Sequence, residues 1–424
     1  MRPLKVILLM TSGLILGFLA CWSLAYFFKV EPSTHGLFYY QKRHPYEKNL
    51  GKDEIATMDS LTVIFRQILY YTYNSYYRDI SLEDIAVDLF KRRNTALDPH
   101  SSYWTPQEVT SQYEVLLNRD FSGIGIKMMG ERSDSSSEEK AKVTVNFVFP
   151  KTPAEHAGVL KRDTIITVDG KKVFSTGQAK KLIRGETGTK VLLEILRPAH
   201  KEVLRFNIER NKIVVPSVTW DLIDKDKLIG LVKIHSFAMF EPLNLQLALT
   251  SLKGLGVKDV VLDLSDDSGG FVESFLHSSY LFMSKNDTIA VSVSRESKTI
   301  YDSLYVVREF GKSNFGRFKD LRIVCIVNGN TASAAEFFAK TMQRWGYVLV
   351  GEPTAGYSTM LKPFVLMGGS RINIASQKTY FGGRQEEIPA TGVRPDILVV
   401  SPLIYNYDLQ LEKAIEILQK GDKK

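Results

Sequence analysis

The chain has 424 residues, of which 44% are hydrophobic and 24% charged, a globular composition with room for two or three domains. Its net charge of +8 is spread along the chain. This pattern suits an anionic envelope surface better than a nucleic acid, for which there is no motif, so no nucleic-acid partner is predicted. The seven histidines and two cysteines show no zinc-type spacing. We therefore expect no metal, no organic cofactor and no disulfide framework.

The N-terminal segment departs from this composition. Residues 6–28 contain no charge and are long enough to cross a bilayer as a helix. Arg2 and Lys5 precede them, which predicts a signal anchor in an inner membrane. The body would then face the periplasm or exterior of a bacterial-type cell envelope. A cleaved signal peptide and lipidation at Cys21 are the alternatives.

Helical spacing of apolar residues follows in "LTVIFRQILYYTYNSYY" and "LEDIAVDLFKRRNTAL". The stretch "LDPHSSYWTP" (97–106) then interrupts the pattern with two prolines. These features predict an N-terminal helical segment.

Strand-like runs, a VDG turn and two short helical patterns come next and predict a small α/β module. Their order resembles a PDZ domain, and "AGVLKRDTIITVDGKKV" is the most specific part. The polar stretch 131–140 is predicted to be a disordered loop.

By this resemblance, "SGIGI" (122–126) is the loop that binds a peptide carboxylate. Successive backbone N–H groups freed by glycine can form an anion-binding nest, and the adjoining strand edge can accept a peptide strand. The predicted binding residues are Gly123, Ile124, Gly125 and Ile126.

From residue 206 onward, apolar strands alternate with amphipathic helices, which predicts a layered α/β core closed by a C-terminal helix. The predicted organisation is a signal anchor (1–29), a tether (30–52), a helical segment (53–115), a PDZ-like domain (116–205) and the α/β core (206–424).

Within the core, "GNTASAAEFF" (329–338) stands between an apolar run and a helical pattern. Ser333 is followed three residues later by Glu336, the spacing of a helix capping box. On this pattern alone, Ser333 begins a helix.

Four motifs that occur in order along the chain indicate a second possible role for Ser333. They are "LDPHSSYWTP", "FSGIGI", "VVLDLSDDSGG", and "NGNTASAAE" followed by "VGEPTAG". From about residue 53 to its end, the chain resembles the carboxyl-terminal processing (tail-specific) proteases. These are serine peptidases with a crotonase-like α/β core and a PDZ domain. The resemblance implies protein or peptide substrates with free C-termini.

The resemblance places the nucleophile at Ser333, where the positive end of a helix dipole would face developing negative charge. It implies oxyanion donors in the N–H of Ala334 and the N–H of Gly269 or Gly270. Glycine allows a substrate carbonyl to approach the backbone closely.

The sequence departs from the best-known branch of the family at the general base. That branch uses a lysine, with a glutamine four residues later. Here Tyr357 and Leu361 occupy those places. Lys362 would need a different loop path to reach Ser333. "GEPTAG" resembles instead the tricorn-like and retinoid-binding-protein-like relatives, whose peptidases take a histidine from the preceding segment, and His100 in "DPHS" stands at a comparable place.

Histidine suits general-base catalysis because its ordinary pKa lies near neutrality. Similar "DPHS" segments also occur in the lysine-using branch, so a purely structural role for His100 stays open. Glu387, or its neighbour Glu386, is the predicted partner of the imidazole, with a solvated acidic pair as the alternative. Negative charge on Asp266 and Asp267, near the oxyanion turn, would work against oxyanion stabilisation unless both side chains point away.

These features predict a membrane-anchored serine endopeptidase that captures protein C-termini through its PDZ-like domain. Because the family's lysine is missing, a catalytically dead adaptor with the same fold is the first alternative. A binder of apolar ligands, by analogy with the retinoid-binding relatives, is the second.

Overall fold

The computed structural model describes residues 51–75, 81–91, 100–117, 121–130, 142–198, 202–284, 287–294, 298–302, 314–381, 386–400 and 408–420. The predicted anchor, the tether up to residue 50 and the predicted disordered loop at 131–140 lie outside these residues. Among the helices of the described ranges, none has both the length and the apolar composition needed to cross a membrane. The chain divides into two compact units, Met1–Asp88 and Leu89–Lys424.

Helices are present in the region where the sequence predicts an N-terminal helical segment. Acidic residues in the first turn favour the start of the first helix because they interact well with the helix dipole. The elements here are α1 (Lys52–Ser75), α2 (Leu82–Lys91), β1 (Ser102–Trp104) and α3 (Pro106–Leu116).

The PDZ-like module is an antiparallel sheet with two short helices. Its strand order is β3-β4-β5-β7-β8, with β6 paired to β5, so that β3 forms one edge of the sheet. The sheet continues to Glu209, beyond the predicted boundary at residue 205. The elements are β2 (Phe121–Gly123), β3 (Ile126–Gly130), β4 (Val143–Val148), α4 (Pro153–His156), β5 (Thr164–Val168), β6 (Lys171–Lys172), α5 (Thr176–Ile183), β7 (Lys190–Leu196) and β8 (Val203–Glu209).

The α/β core contains a sheet of order β10-β11-β12-β15-β16-β19, parallel from β11 onward. A second sheet has the order β1-β18-β13-β14, with β17 paired to β18. The elements are β9 (Asn211–Ile213), β10 (Val218–Asp224), β11 (Ile229–Ile234), α6 (Glu241–Gly254), β12 (Asp259–Asp263), α7 (Val272–Tyr280), β13 (Thr288–Val293), β14 (Lys298–Asp302), β15 (Arg322–Val327), α8 (Ala334–Arg344), β16 (Val348–Gly351), β17 (Thr359–Val365), β18 (Arg371–Tyr380), β19 (Ile397–Leu398) and α9 (Leu409–Lys420).

Both faces of the parallel sheet are covered, which explains why its strands are apolar at successive positions. In β12, Val260 and Leu262 pack into one core cluster with α6, α7 and α8. Val261 between them packs into the opposite cluster with α9. Since β12 and β15 are parallel neighbours, the turns that follow them meet at the same edge of the sheet.

Candidate active site

Ser333 lies at this edge, immediately before α8, and is half-buried. Its backbone has φ 56° and ψ −122°. A positive φ is uncommon for a residue other than glycine, and such strain is concentrated at functional sites. The strained turn places Ser333 at the positive end of the α8 dipole.

The turn after β12 touches the Ser333 turn directly. Gly269 has φ +90°, and a Cβ there would lie 2.6 Å from Ala332 O, 2.8 Å from Ala334 N and 2.9 Å from Ser333 Cβ. A side chain there would collide with the turn that carries Ser333. The close approach therefore requires glycine and brings the predicted oxyanion residues together.

The two glycine N–H groups differ in their surroundings. Gly269 N–H donates to Asp267 Oδ1 at 2.8 Å. On the next peptide, Gly269 C=O accepts from Phe237 N–H at 3.1 Å. That peptide is trans, so the Gly270 N–H points away from Phe237. The Ser333 turn follows β15, which flanks β12 on the side opposite β11.

A single buried carboxylate, Glu336, holds the Ser333 turn to the loop after β16. Its Oε2 accepts from Ser333 N–H at 2.9 Å and Tyr357 N–H at 3.0 Å. Its Oε1 accepts from Thr354 Oγ1 at 2.5 Å and Gly356 N–H at 2.6 Å. Burial raises the pKa of Glu336, while these four donors oppose the rise. The sequence indicated only the capping role, because the other donors come from a distant loop.

His100 lies against that same loop. Its ring centroid is 3.9 Å from the Tyr357 ring centroid, with 34° between the ring planes. The segment is fixed beyond His100, where Ser101 Oγ accepts from Ala375 N–H at 3.0 Å and β1 pairs with β18. The structure thus places His100 on Tyr357, whose backbone shares the Glu336 carboxylate with Ser333.

Lys362 is placed differently. It lies exposed on β17, and its ammonium is 5.3 Å from the Phe364 ring centroid, a cation–π contact at the surface. Strand β17 pairs along β18, which fixes the path of this part of the chain.

The two predicted acidic partners form surface ion pairs. Glu387 pairs with Lys378 at 2.9 Å. Glu386 pairs with Lys340 at 2.7 Å and Arg344 at 2.9 Å on α8. These surface contacts correspond to the solvated acidic pair, which was the alternative to a role as partner of the His100 imidazole.

The Asp266 side chain lies in a polar cluster with two amides from the segment that precedes Ser333. Its Oδ1 accepts from Asn328 Nδ2 at 2.8 Å and Asn330 Nδ2 at 2.9 Å, and its Oδ2 pairs with Lys161 at 3.1 Å. Burial alone would raise the pKa of Asp266. Lys161, Lys233 and the two amides outweigh burial and hold the pKa below its usual range.

Asp267 is fully buried. Burial raises its pKa to about 7, despite the opposing effects of Lys127 and the Gly269 N–H. The Asp267 C=O also accepts from Ala332 N–H at 2.9 Å, next to Ser333.

The PDZ-like module reaches this turn through Lys127 on β3. Its Nζ donates to Asp266 C=O at 2.6 Å and to His235 C=O at 3.3 Å. Beside it, the Phe147 ring centroid is 4.5 Å from that of His235. Burial lowers the pKa of His235 well below its ordinary value, so this imidazole is a neutral packing group.

The predicted carboxylate loop connects β2 to the edge strand β3, and α5 lies against that strand. Gly125 has φ +86°, and a Cβ there would lie 2.3 Å from Thr152 Cβ. Ile124 is buried in the module's core. This arrangement of glycine loop, exposed strand edge and adjacent helix is suited to adding a peptide strand.

Comparison with known proteins agrees with this architecture. Residues 228–399 match the model of peptidase family S41, and residues 144–197 match that of a PDZ domain. The chain is 29% identical over 361 residues to the carboxy-terminal processing protease CtpA of Bacillus subtilis, covering 83% of this chain and 72% of that protein. It is 27% identical to a carboxyl-terminal-processing protease of Picosynechococcus, covering 76% of each chain.

Among solved structures, a photosystem II D1 C-terminal processing protease matches with a TM-score of 0.55 at 20% identity, covering 87% of this chain and 97% of the other. A putative S41 protease from Bacteroides fragilis matches with a TM-score of 0.53 at 17% identity, covering 78% and 87%. The chain therefore contains a serine-type S41 peptidase domain and a PDZ domain. It is homologous to the carboxy-terminal processing proteases, which confirms the resemblance seen in the sequence.

Proposed function

We propose that the protein is an active serine endopeptidase in which Ser333 is the nucleophile and His100 the general base. The observation that carries the proposal is the convergence on Ser333 of two elements distant in sequence. Gly269 packs against its turn, and Glu336 ties it to the loop on which His100 stacks.

In acylation, Ser333 Oγ attacks the substrate carbonyl carbon while His100 accepts the hydroxyl proton. The N–H groups of Ala334 and Gly270 stabilise the tetrahedral oxyanion. The protonated His100 then donates its proton to the leaving amine. Water, deprotonated by His100, hydrolyses the acyl-enzyme and frees Ser333.

Substrate capture would use the PDZ-like module, with the terminal carboxylate on residues 123–126 and the peptide added along β3. The names of the homologues, which process C-termini, support this assignment. Binding of one peptide with a free and with an amidated C-terminus tests it, and equal affinities would contradict it.

The proposal also includes an inner-membrane anchor at residues 6–28, with the body in the periplasm or outside the cell. Its support is the charge-free composition of that stretch behind Arg2 and Lys5. We expect the protein to remain in membranes after a carbonate wash. We also expect protease added outside spheroplasts to digest the body of the protein. Release from the membrane would contradict the anchor.

Active-site titration of the full-length protein with a fluorophosphonate probe tests the catalytic assignment. We expect labelling of the wild type, none of Ser333→Ala, and at least tenfold slower labelling of His100→Ala. His156→Ala, an exposed histidine of the PDZ-like module, is the matched control and should label normally. An unlabelled wild type that still binds C-terminal peptides would instead identify an adaptor, the alternative that Tyr357 at the lysine position favours.

A further inference from the structure

Asp267 contacts both halves of the proposed site. Its Oδ1 accepts the Gly269 N–H at 2.8 Å, and its C=O accepts the N–H of Ala332, which precedes Ser333. Its side chain is fully buried, and Oδ2 has no hydrogen-bond partner among the described residues. A buried carboxylate oxygen without a hydrogen-bond partner is costly, so the position of this side chain needs a reason beyond packing.

The turn it holds determines which amide faces the nucleophile. Phe237 fixes the carbonyl side of the peptide between Gly269 and Gly270, and the Asp267 carboxyl fixes the peptide before it. With both planes held, the direction of the Gly270 N–H is fixed on the side away from Phe237. Without the Asp267 acceptor, two consecutive glycines would have wide conformational freedom.

This inference rests on the proposed function. We propose that Asp267 is a positioning residue of the oxyanion hole, whose carboxyl group holds the Gly269 amide so that the Gly270 amide is presented to the substrate. The hydrogen bond aligns the donor, while the negative charge, when present, opposes the developing oxyanion.

The surroundings of Asp267 divide into groups that favour its charge and groups that oppose it. Lys127 from β3 and Lys233 from β11 favour the ionised form. Burial and Asp263 at the end of β12 favour the neutral form. Glu241 at the start of α6 interacts with the same carboxyl, whose charge helps to raise the pKa of Glu241. On the adjacent residue, Asp266 carries its own negative charge, balanced by Lys161.

Two substitutions separate the hydrogen bond from the charge. In Asp267→Asn, the amide oxygen can still accept the Gly269 N–H, but the charge is gone. In Asp267→Ala, both are lost. Asp259→Asn is the matched control, because Asp259 is a buried acid at the opposite end of β12, paired with Arg322.

The experiment measures the second-order rate constant for fluorophosphonate labelling of the full-length protein between pH 6 and 9. Asp267→Ala should label about tenfold or more slowly than wild type at every pH, because an oxyanion donor is misaligned. The labelling rate constant of Asp267→Asn should exceed that of wild type about three- to tenfold at pH 9. The two rate constants should become equal near pH 6, where the wild-type carboxyl is protonated. Titration of His100 cancels in the ratio of the two rate constants, since both proteins contain it.

Labelling of Asp267→Ala at the wild-type rate, or of Asp267→Asn as slowly as Asp267→Ala, would overturn the proposal. If no protein labels at all, the proposed function fails instead. Amide hydrogen exchange over residues 268–271 then decides on Asp267 separately. Exchange should be faster in Asp267→Ala than in Asp267→Asn, and equal rates would overturn the positioning role.

Discussion

Replacing Glu336 with glutamine tests the link between the Ser333 turn and the loop that carries Tyr357. Each carboxylate oxygen accepts two donors, and glutamine has only one oxygen. In either amide orientation, an NH₂ group would therefore face two donors that no longer have an acceptor.

Hydrogen bonds to a charged group contribute about 1.5–3 kcal/mol each, so losing two costs about 3–6 kcal/mol. Removing a buried charge offsets part of this loss. We expect the free energy of unfolding to fall by about 3 kcal/mol, a large part of the roughly 5–15 kcal/mol that is typical of a folded protein.

Urea unfolding followed by tryptophan fluorescence measures this change. Glu386→Gln is the matched control, since it makes the same chemical change in an exposed carboxylate with two surface ion pairs and should cost less than about 1 kcal/mol. Fluorophosphonate labelling of Glu336→Gln should also slow at least tenfold. If Glu336→Gln matched Glu386→Gln in both stability and labelling, the account of Glu336 would be refuted.

Three further outcomes are expected. Gly125→Ala should abolish binding of C-terminal peptides because of the 2.3 Å approach to Thr152, whereas Gly170→Ala, with φ +72° but open space, should retain it; equal titration curves would count against the loop assignment. Lys362→Ala should leave fluorophosphonate labelling unchanged, and a loss of labelling in this variant would identify Lys362 as the base. Since the folded-state pKa of Asp267 is about 7 and an unfolded aspartate titrates near 3.9, its stabilising contribution is present below about pH 4 and is lost as the pH rises through 7. The unfolding free energy of Asp267→Asn relative to wild type should therefore rise by about 4 kcal/mol between pH 4 and pH 8, and a constant difference would show that this carboxyl keeps an ordinary pKa.

The fold was predictable where local pattern and burial agree. The run "RIVCIV" is strand β15, and the amphipathic stretch after Ser333 is helix α8, because an apolar strand followed by a capped helix is encoded within a short window. The PDZ-like order of strands was visible for the same reason.

The site was only partly predictable, because its decisive contacts join residues far apart in the sequence. Glu336 appeared as a capping residue, and nothing local showed that the loop containing Thr354 and Tyr357 would donate to it. Likewise, the contact of Lys127 with Asp266 depends on how the PDZ-like module packs against the core. Asp267 illustrates the same limit, since its burial follows from the packing of the strands and helices around it.

The central claim is tested most directly by a crystal structure of the protein phosphonylated at Ser333. The phosphoryl oxygen should lie about 2.7–3.1 Å from the nitrogens of Ala334 and Gly270, with the His100 imidazole beside Ser333 Oγ. A phosphoryl oxygen turned away from both amides, or a His100 imidazole out of hydrogen-bonding reach of the adduct, would contradict this mechanism.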